Sequence, residues 1–155
     1  MISYQIERWS TFYPDAAPLF QAEHDELGTH RDRMAFDPDL DRISSLDCAG
    51  VLLIATARDD GELIGYSLFM ITPSLEYRTL LCAQQSVWFV RSDYRWSGRV
   101  GDKVFDFAIA EMKRRGVQCI HTHHRVRDGG ERLAIKMKRR RAEPLEASYT
   151  IWIGD

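Results

Sequence analysis

Nowhere in this chain does an apolar run approach the roughly 18 residues of a membrane-spanning helix, which excludes a helical membrane protein. Cysteine is scarce. The three that occur, Cys48, Cys82 and Cys119, lie far apart, with no Cys-x-x-Cys and no paired histidine spacing. That pattern excludes a disulfide framework, reads as reduced thiols, and leads to no expectation of a metal. Net charge is nearly absent too: 21 Lys and Arg stand against 23 Asp and Glu, a formal −2. No global pull toward nucleic acid or an anionic membrane is therefore expected. The opening residues MISYQIERW lack a basic-then-apolar leader, and a cytoplasmic protein is expected. There is no internal repeat, low-complexity segment or linker, so residues 1–155 are expected to form one domain.

What is present suffices for a core, with 45% hydrophobic and 11% aromatic residues. Ile2 to Glu7 alternates apolar and polar, the period of a strand. Pro14 to Leu27 turns helical, with Ala17, Phe20, His24 and Leu27 near one face and Pro14 suited to a first turn. A polar loop follows from Gly28 to Pro38, then a short helix from Asp39 to Asp47 ended by Gly50. Two apolar runs, Val51 to Ala57 and Leu63 to Ile71, flank Asp60-Gly61, the strongest hairpin signal in the chain. An extended segment from Leu80 to Val90 leads through a loop to a helix from Gly98 to Arg115. That helix buries Val100, Val104, Phe107 or Ala108, and Met112. Val117 to His123 and Ala147 to Ile153 read as strands, with a helix from Gly130 to Arg140 between them. The order β-α-α-β-β-β-α-β-α-β predicts an α/β (α+β) domain, antiparallel first, with one βαβ crossover in its second half.

The segment with chemical content is Ser86 to Val117, a strand, a loop with arginines and glycines, then an amphipathic helix. The first N–H groups of a helix have no intrahelical acceptor, and the positive end of its dipole lies there. A phosphate is the natural occupant of such a junction. Gly98 and Gly101 allow backbone to approach it closely, and Arg95 and Arg99 add charged donors.

This segment resembles the acetyl-CoA motif of the GNAT acetyltransferases: Arg or Gln, two variable residues, Gly, one variable residue, then Gly or Ala. Arg95 and Gly98 match, while Val100 stands at the last small position and Gly101 follows one residue late. An insertion around Trp96-Ser97 restores the register and makes Gly98-Arg99-Val100-Gly101 the phosphate cradle. ATARDDGELIGY, TPSLEYRTLLCAQQSVWFVRSDYR and the closing SYTIWIGD are similar to GNAT proteins encoded by tailed phages. The resemblance implies a mixed, mostly antiparallel central sheet flanked by helices, whose fourth and fifth strands splay apart. It implies acetyl-CoA as co-substrate, its pantetheine arm lying in that splay against the backbone of Trp88, Phe89 and Val90. The implied activity is N-acetyl transfer to a primary amine of a small molecule, a protein or a modified nucleotide, with room for a homodimer. The family's usual tyrosine on the helix after the fifth strand has no counterpart in GGERLAIKMKRRRAE, so no general acid is assigned.

Glu76, just before the fourth strand, reads either as general base or as a solvated loop carboxylate. Among His121, His123 and His124, His123, the last residue of the expected strand, is the second candidate base, against a surface role. Glu23, His24 and Glu26 flank the acceptor side or form an ordinary exposed face. Trp96 lies in the phosphate loop and, like Trp88, reads as packing or as a surface leaning on the cofactor. The run Lys136 to Arg141 carries five basic residues in six positions. It is a solvated helix face, a contact for CoA phosphates, or a grip on nucleic acid. With the missing helix tyrosine, this run keeps a second class open, a GNAT-fold binding protein without transfer activity that uses its basic helix to hold nucleic acid or a protein partner.

Overall fold

The computed structural model describes residues 1–28, 30, 32–96, 99–124 and 130–144. The chain divides into two units, Met1–Thr122 and His123–Asp155. The first holds strands β1 (Ile2–Glu7), β2 (Leu52–Asp59), β3 (Glu62–Pro73), β4 (Leu81–Val90) and β5 (Cys119–His121). Helices α1 (Trp9–Leu27), α2 (Leu40–Cys48) and α3 (Arg99–Arg114) complete it. The sheet runs β1-β2-β3-β4-β5 in space. All pairs are antiparallel except β4 with β5, which α3 joins as the crossover. In the second unit, α4 spans Gly130–Arg139, and the expected strand at 147–153 lies outside the described residues.

Local chemistry fixes the hairpin. Asp59 pairs with Glu62, leaving Asp60 and Gly61 as a two-residue turn in which both have positive φ, 47° and 91°. Such a turn carries the strand twist, and Asp-Gly is among the pairs that adopt it most cheaply. Strand residues 52–58 and 63–69 are buried throughout, as expected of central strands covered on both faces. Tyr66 and Leu68 join Trp9, Phe12, Ala16 and Phe20 of α1 in one cluster. On the opposite face Phe69 and Trp88 meet Phe105 of α3, with ring centroids 5.7 and 4.6 Å apart.

Three elements differ from the sequence reading, the first being β5, which covers only Cys119–His121 of the expected Val117 to His123 and leaves His123 outside the strand. α1 begins at Trp9, so Pro14 and Pro18 lie inside it. An interior proline removes a backbone hydrogen bond and pushes on the preceding turn. The aromatic cluster outweighs that cost: Trp9 stacks on Tyr13 at 4.9 Å, and Phe12 meets Tyr66 at 5.1 Å. Asp47 of α2 also caps the start, accepting from the Trp9 N–H at 3.1 Å and from Arg8 Nε at 2.9 Å. On α3 the buried aromatic is Phe105, 2% exposed, whereas Phe107 is 38% exposed. Val100, Val104, Ala108 and Met112 are buried as expected.

The parting of β4 and β5 has a visible cause. Leu68 pairs with Val87 and Phe69 with Gln85, so Ser86 is an extra residue in β4, a bulge. A bulge bends its strand and sharpens the twist. β5 pairs only with Cys82, Ala83 and Gln84, ending just short of that bend. Beyond it, among the described residues, the outer edge of β4 has no strand partner as far as Val90.

Candidate active site

The unpaired edge of β4 leads directly into the β4–α3 connection. Trp88, Phe89 and Val90 pair on their inner side with Ser67, Tyr66 and Gly65 of β3. Alternation turns the Phe89 N–H and C=O toward β3 and those of Trp88 and Val90 outward, where the Val90 carbonyl accepts from Arg95 Nε. The Trp88 N–H and C=O and the Val90 N–H therefore face outward in the register of an added strand. The side chains anchor the strand to both layers, Trp88 against Phe105 and Phe89 against Tyr66 at 5.5 Å. Past Val90, a 3₁₀ turn (Ser92–Tyr94) is held by Arg91 bonding Asp93 and Glu62, and by the Tyr94 hydroxyl donating to Asp59 at 3.0 Å. The Arg91 guanidinium holds the Asp93 carboxyl below its ordinary range.

Arg95 is engaged. Its guanidinium forms a bidentate pair with Glu26 of α1 (Nη2 to Oε2 2.8 Å), Nε donates to the Val90 carbonyl, and the group lies 5.2 Å over the Phe89 ring. The hydrogen bonds from Arg95 hold the Glu26 carboxyl below its ordinary range. A partly exposed pair of this kind contributes only about 0.2–1 kcal/mol, little enough for a doubly charged anion to displace. Trp96 is 88% exposed. Ser97 and Gly98 lie outside the described residues. Arg99, Val100 and Gly101 form the first turn of α3, whose N–H groups precede any intrahelical acceptor. The Val100 side chain is 4% exposed and belongs to the core, so only its backbone faces the junction's chemistry. A Cβ on Gly101 would lie 3.5 Å from Trp88 Nε1 and from Val90 Cγ2, ordinary contact on the β4 side.

The structure thus brings Trp88, Phe89, Val90, Arg95, Val100 and Gly101 to one end of β4. Glu76 is elsewhere. It is exposed in the β3–β4 loop, where the N–H groups of Glu76 and Tyr77 both donate to Ser74 Oγ at 3.2 Å. Ten residues of β4, about 30 Å of extended chain, separate that loop from the α3 junction. His123 is exposed and belongs to the second unit.

Sequence reasoning missed three features here. The Ser86 bulge is visible only as a break in the alternation of β4, between Gln85 (buried) and Val87. Tyr66 is fully buried, and its hydroxyl donates to Glu23 Oε2 at 3.4 Å. Burial, with the Glu23 carboxylate adding to it, pushes the Tyr66 phenol far up. The available signal was a polar tip in an apolar run, which must find a partner when buried. The Arg95–Glu26 pair joins residues 69 positions apart and had no local signal. Glu23 and Glu26 together give the C-terminal half of α1 two carboxylates beside the junction. On the same helix His24 packs 5.2 Å from Phe36, its buried Nδ1 without a hydrogen-bond partner among the described residues.

No family model matches the chain, and no curated protein sequence matches it. Among solved structures, the chain is similar over almost its whole length to several acetyltransferases. A ribosomal-protein-alanine N-acetyltransferase from Brucella melitensis biovar Abortus 2308 shares 21% identity, over 99% of this chain and 100% of that one, at TM-score 0.73. An aminoglycoside acetyltransferase from an uncultured soil metagenomic sample shares 12%, over 99% and 97%, at TM-score 0.75. Glucosamine-6-phosphate N-acetyltransferase from Arabidopsis thaliana shares 14%, over 98% and 99%, at TM-score 0.71. At these identities the likeness is one of fold, and the fold is that of the GNAT acetyltransferases.

Proposed function

We propose that the protein is an acetyl-CoA-dependent N-acetyltransferase acting on a primary amine. The observation that carries this reading is the free outer edge of β4 beyond the Ser86 bulge, running straight into the N-terminus of α3. One end of that path offers backbone groups to an amide-bearing arm, and the other offers helix N–H groups and arginines to a diphosphate. Trp88, Phe89 and Val90 are proposed to bind the arm, and Arg95, Ser97, Gly98, Arg99, Val100 and Gly101 the phosphates, with Trp96 against the nucleotide. Bound acetyl-CoA supplies an activated acetyl thioester. The protein's own task is then to orient the amine and take its proton, since amines are mostly protonated at neutral pH and only the neutral form attacks. Glu76 and His123 are the two residues proposed for that proton. The likeness of the sequence to phage-encoded GNAT proteins makes a host cytoplasm the proposed setting. Among the described residues no helix is long and apolar enough to cross a membrane.

Two substitutions at one position test the phosphate site. Gly101→Pro removes one first-turn N–H at a place where helices tolerate proline. Gly101→Ala keeps the N–H, and its Cβ fits. Calorimetry should find acetyl-CoA affinity roughly 10- to 150-fold weaker for the proline variant, the worth of a hydrogen bond to a charged group, and little changed for alanine. Undiminished affinity in Gly101→Pro would remove the diphosphate from this helix.

A second reading draws on α4, whose last turn carries Lys136, Lys138 and Arg139, followed by Arg140 and Arg141. Here the protein would hold nucleic acid without transferring acetyl. A complex with DNA that weakens steeply with salt, together with absent acetyl-CoA binding, would favour it.

A further inference from the structure

We propose that Cys82, Cys119 and His121 form a binding site for a thiophilic divalent cation, with Zn²⁺ the fitting ion, clamping β4 to β5 at the base of their parting. The sequence places these residues up to 39 positions apart. The parallel register brings them together. Cys82 lies directly opposite Cys119, and His121, two residues along β5, returns to the same face of the sheet opposite Gln84. Two thiols and an imidazole thereby converge from adjacent strands whose positions are fixed by ladder hydrogen bonds. Their ligand atoms all lie within 4.8 Å of one another.

The spacing can be compared with what a metal requires. Zinc binds thiolate at about 2.3 Å and imidazole at about 2.0–2.1 Å in a tetrahedron, so its S···N edge is about 3.6 Å and its S···S edge about 3.8 Å. Cys119 Sγ and His121 Nε2 stand 3.6 Å apart. The same distance suits an S–H···N hydrogen bond, which a bound ion would replace. All three residues are partly exposed, so an ion can enter and a water can supply the fourth ligand. The donor set is selective: with two sulfurs, one nitrogen and no carboxylate it disfavours Mg²⁺ and Ca²⁺ and favours zinc-like ions. Charge also balances. Binding releases the two thiol protons, and two thiolates with one neutral imidazole neutralise the dication. Cys48 is exposed on α2 and takes no part.

The position gives the ion a structural task. β5 is paired through only three residues, Cys119 to His121, and two of them are ligands. An ion bridging Cys82 to this short strand holds it in register just before the Ser86 bulge turns β4 away. The site does not draw on the acetyl-transfer reading and stands or falls separately.

Co²⁺ titrated into the reduced full-length protein tests it. One equivalent should produce the thiolate-to-cobalt charge-transfer band and the visible absorption of a tetrahedral site, and Zn²⁺ should displace both. Zn²⁺ should also slow the reaction of two of the three thiols with a thiol reagent and raise the melting temperature. Cys82→Ser, Cys119→Ser and His121→Asn should each weaken binding by more than about 100-fold, since losing even an outer-shell partner costs 10–100-fold. Cys48→Ser should leave the spectrum intact. His121 is partly exposed, so its substitution keeps the test valid should a cysteine variant fail to fold. Absence of the charge-transfer band in the reduced protein would overturn the proposal. So would a band that survives His121→Asn and either cysteine substitution at unchanged affinity.

Discussion

At the residue scale the strongest single commitment in the fold is Arg58. Its side chain is nearly buried, with Nε 2.8 Å from Glu7 Oε1 and Nη1 2.7 Å from Asp15 Oδ2, and it also donates to the Gly61 carbonyl at 2.8 Å. One guanidinium thus joins β1, β2, the hairpin turn and α1. Burial, the largest influence on Glu7, pushes its carboxyl up. Hydrogen bonds from Arg58, Thr56 and Gln5 together prevail and hold it below the ordinary value of 4.5. The sign follows. With its folded value depressed, Glu7 contributes its full stability above pH 4.5, and the contribution drains as pH falls through the lower folded value. Denaturant unfolding across pH should therefore show Glu7→Gln less stable than wild type at neutral pH, the gap narrowing on acidification. Arg58→Met, which strands a buried carboxylate, should cost about 3–5 kcal/mol at neutral pH. An equal deficit for Glu7→Gln at every pH would mean that packing and not charge is what Glu7 supplies.

At the element scale, α2, α3 and α4 all end in the same hydrogen-bonded motif. The N–H of Val51 reaches Leu46, that of Val117 reaches Met112, and that of Ala142 reaches Met137. The residue before each of these N–H groups takes positive φ: Gly50 at 73°, Gly116 at 80° and Arg141 at 60°. Glycine adopts that conformation freely, whereas an L side chain crowds its own carbonyl at a cost of about 1–2 kcal/mol. Arg141→Gly should relieve that strain, less the entropy glycine loses on folding, for a net gain of about 0.5–1 kcal/mol. Amide exchange should then slow about two- to fivefold at the C-terminal end of α4, and unchanged exchange would mean the strain is already offset there. These ends were legible where chemistry is local. Gly50 and Gly116 mark their helices in the sequence, and Asp60-Gly61 marks the hairpin. The start of α1 was not, because the proline signal at position 14 competes with a cap from Asp47, 38 residues from Trp9. β5 came out shorter than its apolar pattern, since a strand extends only as far as a partner runs beside it, and β4 bends away at Ser86.

At the scale of the whole molecule, what the sequence carried was the path from β4 into α3, because a strand, a glycine-containing turn and an amphipathic helix are contiguous there. Groups that meet only through the tertiary fold, such as Arg95 with Glu26 of α1 or Cys82 with Cys119 across the sheet, were invisible for want of any short-range signature. Proton removal belongs to this larger scale too, for its two proposed agents lie on different units, Glu76 in the first and His123 in the second. Transfer should rise with pH through one ionisation, as the amine must be neutral when it attacks. Loss of a positioned base typically lowers the rate by about 10²–10⁴. Glu76→Gln should produce that loss, with acetyl-CoA affinity unchanged, if the carboxylate takes the proton. His123→Ala should instead produce it, and abolish the acidic limb of the pH–rate profile, if the imidazole does. Each variant can be read against the other because neither residue belongs to the cofactor path along Trp88 to Gly101. Near-full turnover in both at saturating acceptor would rule out side-chain base catalysis by either, and proton loss to an ordered water or to bulk solvent before binding would take its place.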